Sequence, residues 1–189
     1  MLQLDRVQKT YTYKKQQIYA LRQVTLQLDR GSFVAVCGPS GCGKSTMLFA
    51  AGGLLRPDDG VVKIDETNLY AISAEKRAQY RAAEIGFVFQ SFNLMPVLTA
   101  FENVELPLLL TSLSKEERAR KVYSLLEKVG LSDYLKHKPD ELSGGQRQRV
   151  SIARALVHEP KLVLADEPTA NLDQQTGETI MDLLQKMNT

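Results

Sequence analysis

Gly38-Pro39-Ser40-Gly41-Cys42-Gly43-Lys44-Ser45-Thr46 is the stretch on which the reading of this chain turns. It fits the pattern G-x-x-x-x-G-K-[ST], in which glycines let the backbone curl until successive N–H groups and a helix N-terminus face an anion. With such a loop in place, Lys44 reaches β- and γ-phosphates, and the Ser45 hydroxyl is offered to Mg²⁺. The flanks fit. Upstream, Ser32-Phe-Val-Ala-Val36 is continuously apolar and predicts a fully buried strand. Downstream, Lys44 to Leu55 predicts a helix ended by Pro57-Asp-Asp-Gly60, followed by a strand at Val61 to Ile64.

Farther out, Leu2 to Val7 and Val24 to Leu28 alternate as half-buried strands, with a turn at Asp29-Arg-Gly31. Ser73 caps a helix running to Glu84, and Ile85 to Phe89 is another buried strand. From Thr99 to His158 the pattern turns helical: Thr99-x-x-Glu102 and Ser114-x-x-Glu117 are capping boxes, and Ala119, Val122, Leu126 and Val129 form an apolar stripe closed by Gly130. Ser143 caps a further helix that Pro160 stops, Lys161 to Ala165 returns to a strand, and Ile180, Leu183, Leu184 and Met187 mark a last helix. The chain therefore reads as an α/β core with a helical insertion.

Composition narrows the function classes. With 189 residues, 43% hydrophobic and 24% charged, the chain can bury a core and is not disordered. A net charge of +2 gives no reason to expect a nucleic-acid partner. The longest nearly uncharged apolar run, Met47 to Leu55, falls well short of the roughly 20 residues that cross a bilayer. Charges in the first six residues do not suit a signal peptide, and two cysteines, Cys37 and Cys42, do not make a disulfide framework. A reducing, cytoplasmic setting is expected.

Leu162-Val-Leu-Ala-Asp166-Glu167 is an apolar strand ending in two acids. Alone, such acids are usually solvated or cap a helix. Beside a phosphate loop, Asp166 suits the Mg²⁺ shell and Glu167 suits an attacking water.

Leu142-Ser143-Gly144-Gly145-Gln146 adds a second helix start built to face an anion. Together with the phosphate loop and the acid pair, it resembles the signature of the ATP-binding-cassette (ABC) ATPases. The resemblance spans essentially the whole chain. It implies a P-loop NTPase core with a mixed sheet, an antiparallel β subdomain and an inserted α-helical subdomain. The core would be residues 1–90 and 159–189, and the helical subdomain 91–158. It also implies a head-to-tail homodimer, in which the signature of one copy closes over ATP held by the other's loop.

Further residues gain roles only from that resemblance. Gln90 is similar to the glutamine that touches Mg²⁺ and the lytic water. Asp173, in Ala170-Asn-Leu-Asp173, is similar to an aspartate of the dimer interface, or is simply a helix cap. Tyr11 resembles the aromatic that stacks on adenine, with Tyr13 as its competitor. The family also places a γ-phosphate histidine beyond Asp173. The two histidines here, His137 and His158, lie upstream, which implies a C-terminally short chain.

The interval between Ser45 and Leu142 leaves no room for the long coiled coil of chromosome-maintenance relatives. The stretch from Ile85 to Pro96 and on through Leu110 resembles the subfamily serving lipoprotein release and macrolide export. That implies a separate transmembrane permease subunit and a position on the cytoplasmic face of the inner membrane. Phe92, Leu94, Met95, Pro96, Leu98 and Phe101 are expected either to line a groove for that subunit or to form subdomain core. Two functional readings stay open: an ATPase driving transport, and a non-hydrolysing ATP-binding scaffold.

Overall fold

The computed structural model describes residues 1–188; Thr189 lies outside the described residues. The chain divides into two compact units, residues 1–81 with Asn188, and residues 82–187.

The first unit is built on strands β1 (Leu2–Tyr13), β2 (Gln16–Leu28), β3 (Asp59–Ile64) and β4 (Thr67–Asn68), which form one antiparallel sheet in the order β2-β1-β3-β4. Leu2 and Leu4 of β1 pair with Ile64 and Val62, and all four side chains are buried. Strict alternation would next point Arg6 inward. Instead the register slips between Leu4 and Val7, with Arg6 at φ +47°, and Val7 takes the buried place. Beyond the slip, Asp58 ties β1 to the start of β3: its carboxylate accepts from Lys9 Nζ and from Thr10 N, each at 2.7 Å.

Two helices belong to this part of the chain, α1 (Lys44–Ala51) and α2 (Ala74–Glu84), the latter running into the unit boundary. Ser73 Oγ accepts from Lys76 N at 3.2 Å and caps α2 as expected. The expected run of α1 to Leu55 is corrected. The helix stops at Ala51 because Gly53 turns into the left-handed region at φ +71°, and Leu54 N then donates back to Phe49 O at 2.9 Å. Pro57 comes too late to matter.

The buried strand expected at Ser32 to Val36 is also corrected. Neither sheet of the described residues includes it, and Phe33, Val34 and Val36 are 46%, 51% and 43% exposed. An apolar run becomes a buried strand only where neighbours flank it, and composition cannot supply the neighbours.

The second unit holds β5 (Ile85–Val88) and β6 (Leu162–Ala165), paired in parallel from Ile85↔Leu162 to Val88↔Ala165. Its helices are α3 (Ala100–Glu105), α4 (Lys115–Lys128), α5 (Gly144–Leu156) and α6 (Gln174–Met187). The capping boxes expected at Thr99, Ser114 and Ser143 all form, the last closed by Gln146. The stripe on α4 buries Val122 and Leu126 and continues to Val129, against Val104, Leu108 and Leu142. Helix α5 is apolar on two sides. Val150 and Ala153 join that helical core, while Ile152 and Ala155 join a second cluster with Val88, Ile180 and Leu184.

Tyr70 closes the first unit behind α1. Its hydroxyl donates to Ala50 O at 2.7 Å and Leu55 O at 2.5 Å, and burial pushes the phenol up to about 12. In the unfolded chain the phenol titrates near 10. The unfolded state therefore releases a proton that the fold retains, and stability falls as pH rises from about 10 toward 12. Tyr70→Phe should cost about 1 kcal/mol at neutral pH, the usual size of one lost hydrogen-bonding group. It should also flatten the alkaline decline, as measured by denaturant unfolding at several pH values.

Candidate functional site

The residues singled out in the sequence divide between the units. Tyr11 and the glycine loop belong to the first; Gln90, Asp166, Glu167, Ser143 to Gln146 and Asp173 belong to the second.

In the first unit the loop is curled around its own lysine. Lys44 Nζ donates to Gly38 O and Pro39 O, each at 3.0 Å, and Cys42 N donates to Pro39 O at 3.4 Å. The helix opens at Gly43, its cap residue, whose φ is +99° and whose carbonyl accepts from Met47 N at 2.9 Å. A side chain there is excluded twice over: the left-handed backbone disfavours it, and a Cβ would sit 2.2 Å from Ala20 O of β2. Ser45 and Thr46 occupy the first turn of α1, where N–H groups have no partner inside the helix. Gly38 to Cys42 are exposed, and the Cys37 and Cys42 thiols are free.

Tyr11 and Tyr13 lie two residues apart on one face of β1, with both rings open to solvent at 42% and 60%. Lys9 Nζ stands 5.8 Å from the Tyr11 ring centre, and Lys14 Nζ stands 5.3 Å from that of Tyr13.

In the second unit the parallel register decides the arrangement. Because Val88 pairs with Ala165, Gln90 and Glu167 each come two residues past the last pair, at the carboxyl ends of neighbouring parallel strands. That end of an open parallel sheet is where ligands bind in α/β folds. Asp166 N donates to Val88 O at 2.9 Å, extending the join by one bond. Beyond it the strands part into two turns. Phe92 N donates to Phe89 O at 3.2 Å, which places Gln90 and Ser91 at the centre of the first. Ala170 N donates to Glu167 O at 3.2 Å in the second, where Glu167 is exposed and left-handed at φ +46°. Asn171 bridges them, its Nδ2 donating to Gln90 O at 2.9 Å.

The signature run meets the same second turn. Ser143 Oγ accepts from Gln146 N at 3.3 Å, and Gln146 Oε1 accepts from Ser143 N at 2.8 Å, fixing the start of α5. Gly144 and Gly145 lie beside Leu172 and Thr176; a Cβ on Gly145 would sit 2.7 Å from Thr176 Cγ2. Asp173 is the helix cap that its residue type allowed. Its carboxylate accepts from Thr176 N at 3.0 Å, and hydrogen bonds from Thr176 hold it below the usual carboxylate range. His137 lies against Tyr134 at 5.2 Å, and burial lowers His158 below its ordinary value.

The apolar residues after Gln90 split between the two readings open to them. Leu94 and Phe101 pack against the helical core, and the Phe92 ring lies 5.2 Å from the Arg147 guanidinium. Met95 is 48% exposed and Val97 71%. Wholly buried Asn103 pins that loop, its amide reaching Met95 O, Leu98 O and Thr99 O at 3.0–3.1 Å while its Oδ1 accepts from Met95 N at 2.8 Å.

Sequence reading missed Asn171, Gln148 and Arg154, which hold these turns. Gln148 left a signal, since it falls on the same buried face of α5 as Ile152 and Ala155 at helical spacing. Arg154 and Asn171 left none, because both read as ordinary surface polar residues.

A family model described as ABC transporter matches residues 21–170. An uncharacterised ABC transporter ATP-binding protein, MJ0796 of Methanocaldococcus jannaschii, is 48% identical, covering 100% of this chain and 82% of that protein. The lipoprotein-releasing system ATP-binding protein LolD of Legionella pneumophila is 44% identical, covering 100% and 83%. Among solved structures, the dimeric post-hydrolysis state of the MJ0796 cassette bound to ADP and Pi superposes with a TM-score of 0.91 at 48% identity, covering 100% of this chain and 83% of that one. By its motifs, its fold and this likeness along its full length, the chain belongs to the ABC transporter family as an ATP-binding cassette.

Proposed function

We propose that this chain binds ATP with Mg²⁺ and hydrolyses it as the nucleotide-binding subunit of a transporter of the lipoprotein-release and macrolide-export type. The observation that carries the reading is the placement of Gln90 and Glu167 at matched positions beyond the β5–β6 pair, in a chain that also carries a complete phosphate loop and signature run. In this reading residues 1–90 and 159–189 act as the nucleotide-binding core and 91–158 as the helical subdomain that carries the signature.

In this reading Gly38 to Thr46 cradle the phosphates through backbone N–H groups, and Tyr11 stacks on the base. Lys44, whose ammonium lies at the carbonyls of Gly38 and Pro39, serves the β- and γ-phosphates. Ser45, Gln90 and Asp166 offer a hydroxyl, an amide and a carboxylate, an all-oxygen set that suits Mg²⁺, which keeps several waters and takes few protein ligands. Mg²⁺ supplies charge neutralisation as the terminal phosphoryl group leaves. The exposed carboxylate of Glu167 orients water for in-line attack on the γ-phosphorus and takes up its proton, the bond to the β-phosphate oxygen breaks, and ADP and phosphate are released.

Ser143 to Gln146 and Asp173 serve a second copy. The first turn of α5 offers N–H groups to the γ-phosphate held by the partner, so the catalytic assembly is a head-to-tail homodimer. The dimeric structure of the MJ0796 cassette supports a homodimer. None of the described helices is long and apolar enough to cross a membrane. The exposed pair Met95 and Val97 supports docking onto a separate transmembrane subunit, at the cytoplasmic face of the membrane.

Turnover should rise faster than linearly with protein concentration. Glu167→Gln should keep ATP binding while lowering kcat at least about 100-fold, the usual scale for a positioned proton-transfer group; unchanged turnover removes Glu167 from this role. Lys44→Ala should instead weaken ATP binding itself, measured by nucleotide titration. For the docking surface, Met95→Glu should lower the protein's co-sedimentation with membranes carrying its permease while leaving the thermal midpoint in place. Undiminished co-sedimentation would count against this surface.

A further inference from the structure

Both turns of the candidate site are strained, and both are held by side chains of one helix. Glu167 in one turn, and Phe92 and Asn93 in the other, are non-glycine residues in the left-handed region, with φ values of +46°, +59° and +50°. Such backbone persists only where its surroundings over-determine it. Arg154 of α5 does this for the glutamine turn. Its two terminal nitrogens donate to Phe92 O at 2.9 Å and Asn93 O at 2.6 Å, so the planar guanidinium spans both strained residues. Two helical turns earlier on α5, the Arg147 guanidinium covers the Phe92 ring. Gln148 of the same helix does it for the acid turn, its Nε2 donating to Pro168 O at 2.7 Å, one residue past Glu167.

Gln148 is wholly buried, and its Oε1 has no hydrogen-bond partner among the described residues. A leucine of similar size would remove that unpaired oxygen, but it would also take the donor away from Pro168 O. What the amide contributes at this place is the bond that holds Pro168 O, one residue past Glu167.

We propose that Gln148 and Arg154 are positioning residues, through which the signature helix sets the backbone of the turns carrying Gln90 and Glu167. This rests on the hydrolytic reading above. The two turns meet through Asn171, so a shift in either is felt by the other. The helix that begins at the signature thereby fixes where the glutamine amide and the acid carboxylate stand.

The test uses Gln148→Leu, Arg154→Met and Arg154→Lys in the full chain. Gln148→Leu should keep a cooperative thermal transition while lowering kcat about 10-fold or more, with KM for ATP within about 3-fold, since small misplacements of reacting groups cost up to about 100-fold. Arg154→Lys should recover part, not all, of the kcat lost in Arg154→Met, because an ammonium keeps the charge but not the fork. Amide hydrogen exchange on the nucleotide-free chain reads the positioning directly. Exchange at Phe92 and Asn93 should quicken in Arg154→Met, and at Ala170 and Leu172 in Gln148→Leu. Unchanged exchange at those amides, or a loss confined to KM, overturns the proposal. Absence of turnover in the unaltered chain overturns the hydrolytic reading instead, and the exchange data then decide the positioning role alone.

Discussion

Backbone groups that leave the end of a β-ladder lose their partners, and buried ones must find others. The candidate site depends on how this chain answers that constraint. The β5–β6 ladder ends at Val88 and Ala165, Asp166 N adds one more bond, and from there the carbonyls of Gln90, Phe92, Asn93 and Pro168 accept from side chains. Three of those donors, two guanidinium nitrogens and one amide, come from α5. That helix can serve as a fixed post because its start is capped reciprocally by Ser143 and Gln146, and because its apolar residues are committed on two sides, to the helical core and to the cluster around Val88. Its position cannot drift without opening one cluster or the other.

The phosphate loop solves the same problem by folding onto itself. Carbonyls of Gly38 and Pro39 turn to Lys44, which leaves the N–H groups at the start of α1 as the groups with no partner inside the helix. Left-handed Gly43 joins the loop to the helix at a point where β2 approaches too closely for any side chain. Loop and turns therefore differ in kind. The loop draws on backbone and glycine, and is written in residue types; the turns draw on distant side chains.

That difference explains what could be read in the linear chain. The capping boxes and the α4 stripe are local patterns, and the structure contains each of them. Two local expectations failed because a competing contact won. Helix α1 ends at Gly53, where a left-handed glycine costs less than four more helical residues before Pro57. Ser32 to Val36 read as buried from apolarity alone, yet burial of a strand requires neighbours on both edges, and neither sheet of the described residues includes it.

The sequence by itself determined the phosphate loop, the signature helix with its cap, the paired acids at the end of a strand and the interruption of the core by helices, because each is set by residues within a few positions of one another. Only the tertiary structure decided that Gln90 and Glu167 each fall two residues past the last pair of neighbouring strands, since parallel register joins residues more than seventy positions apart. It also decided that Arg154 and Gln148, ordinary polar residues of a helix by type, spend their donors on the two turns that flank the site. Long-range hydrogen bonds carry no spacing of their own in the chain, so they become visible only once packing has chosen which faces meet.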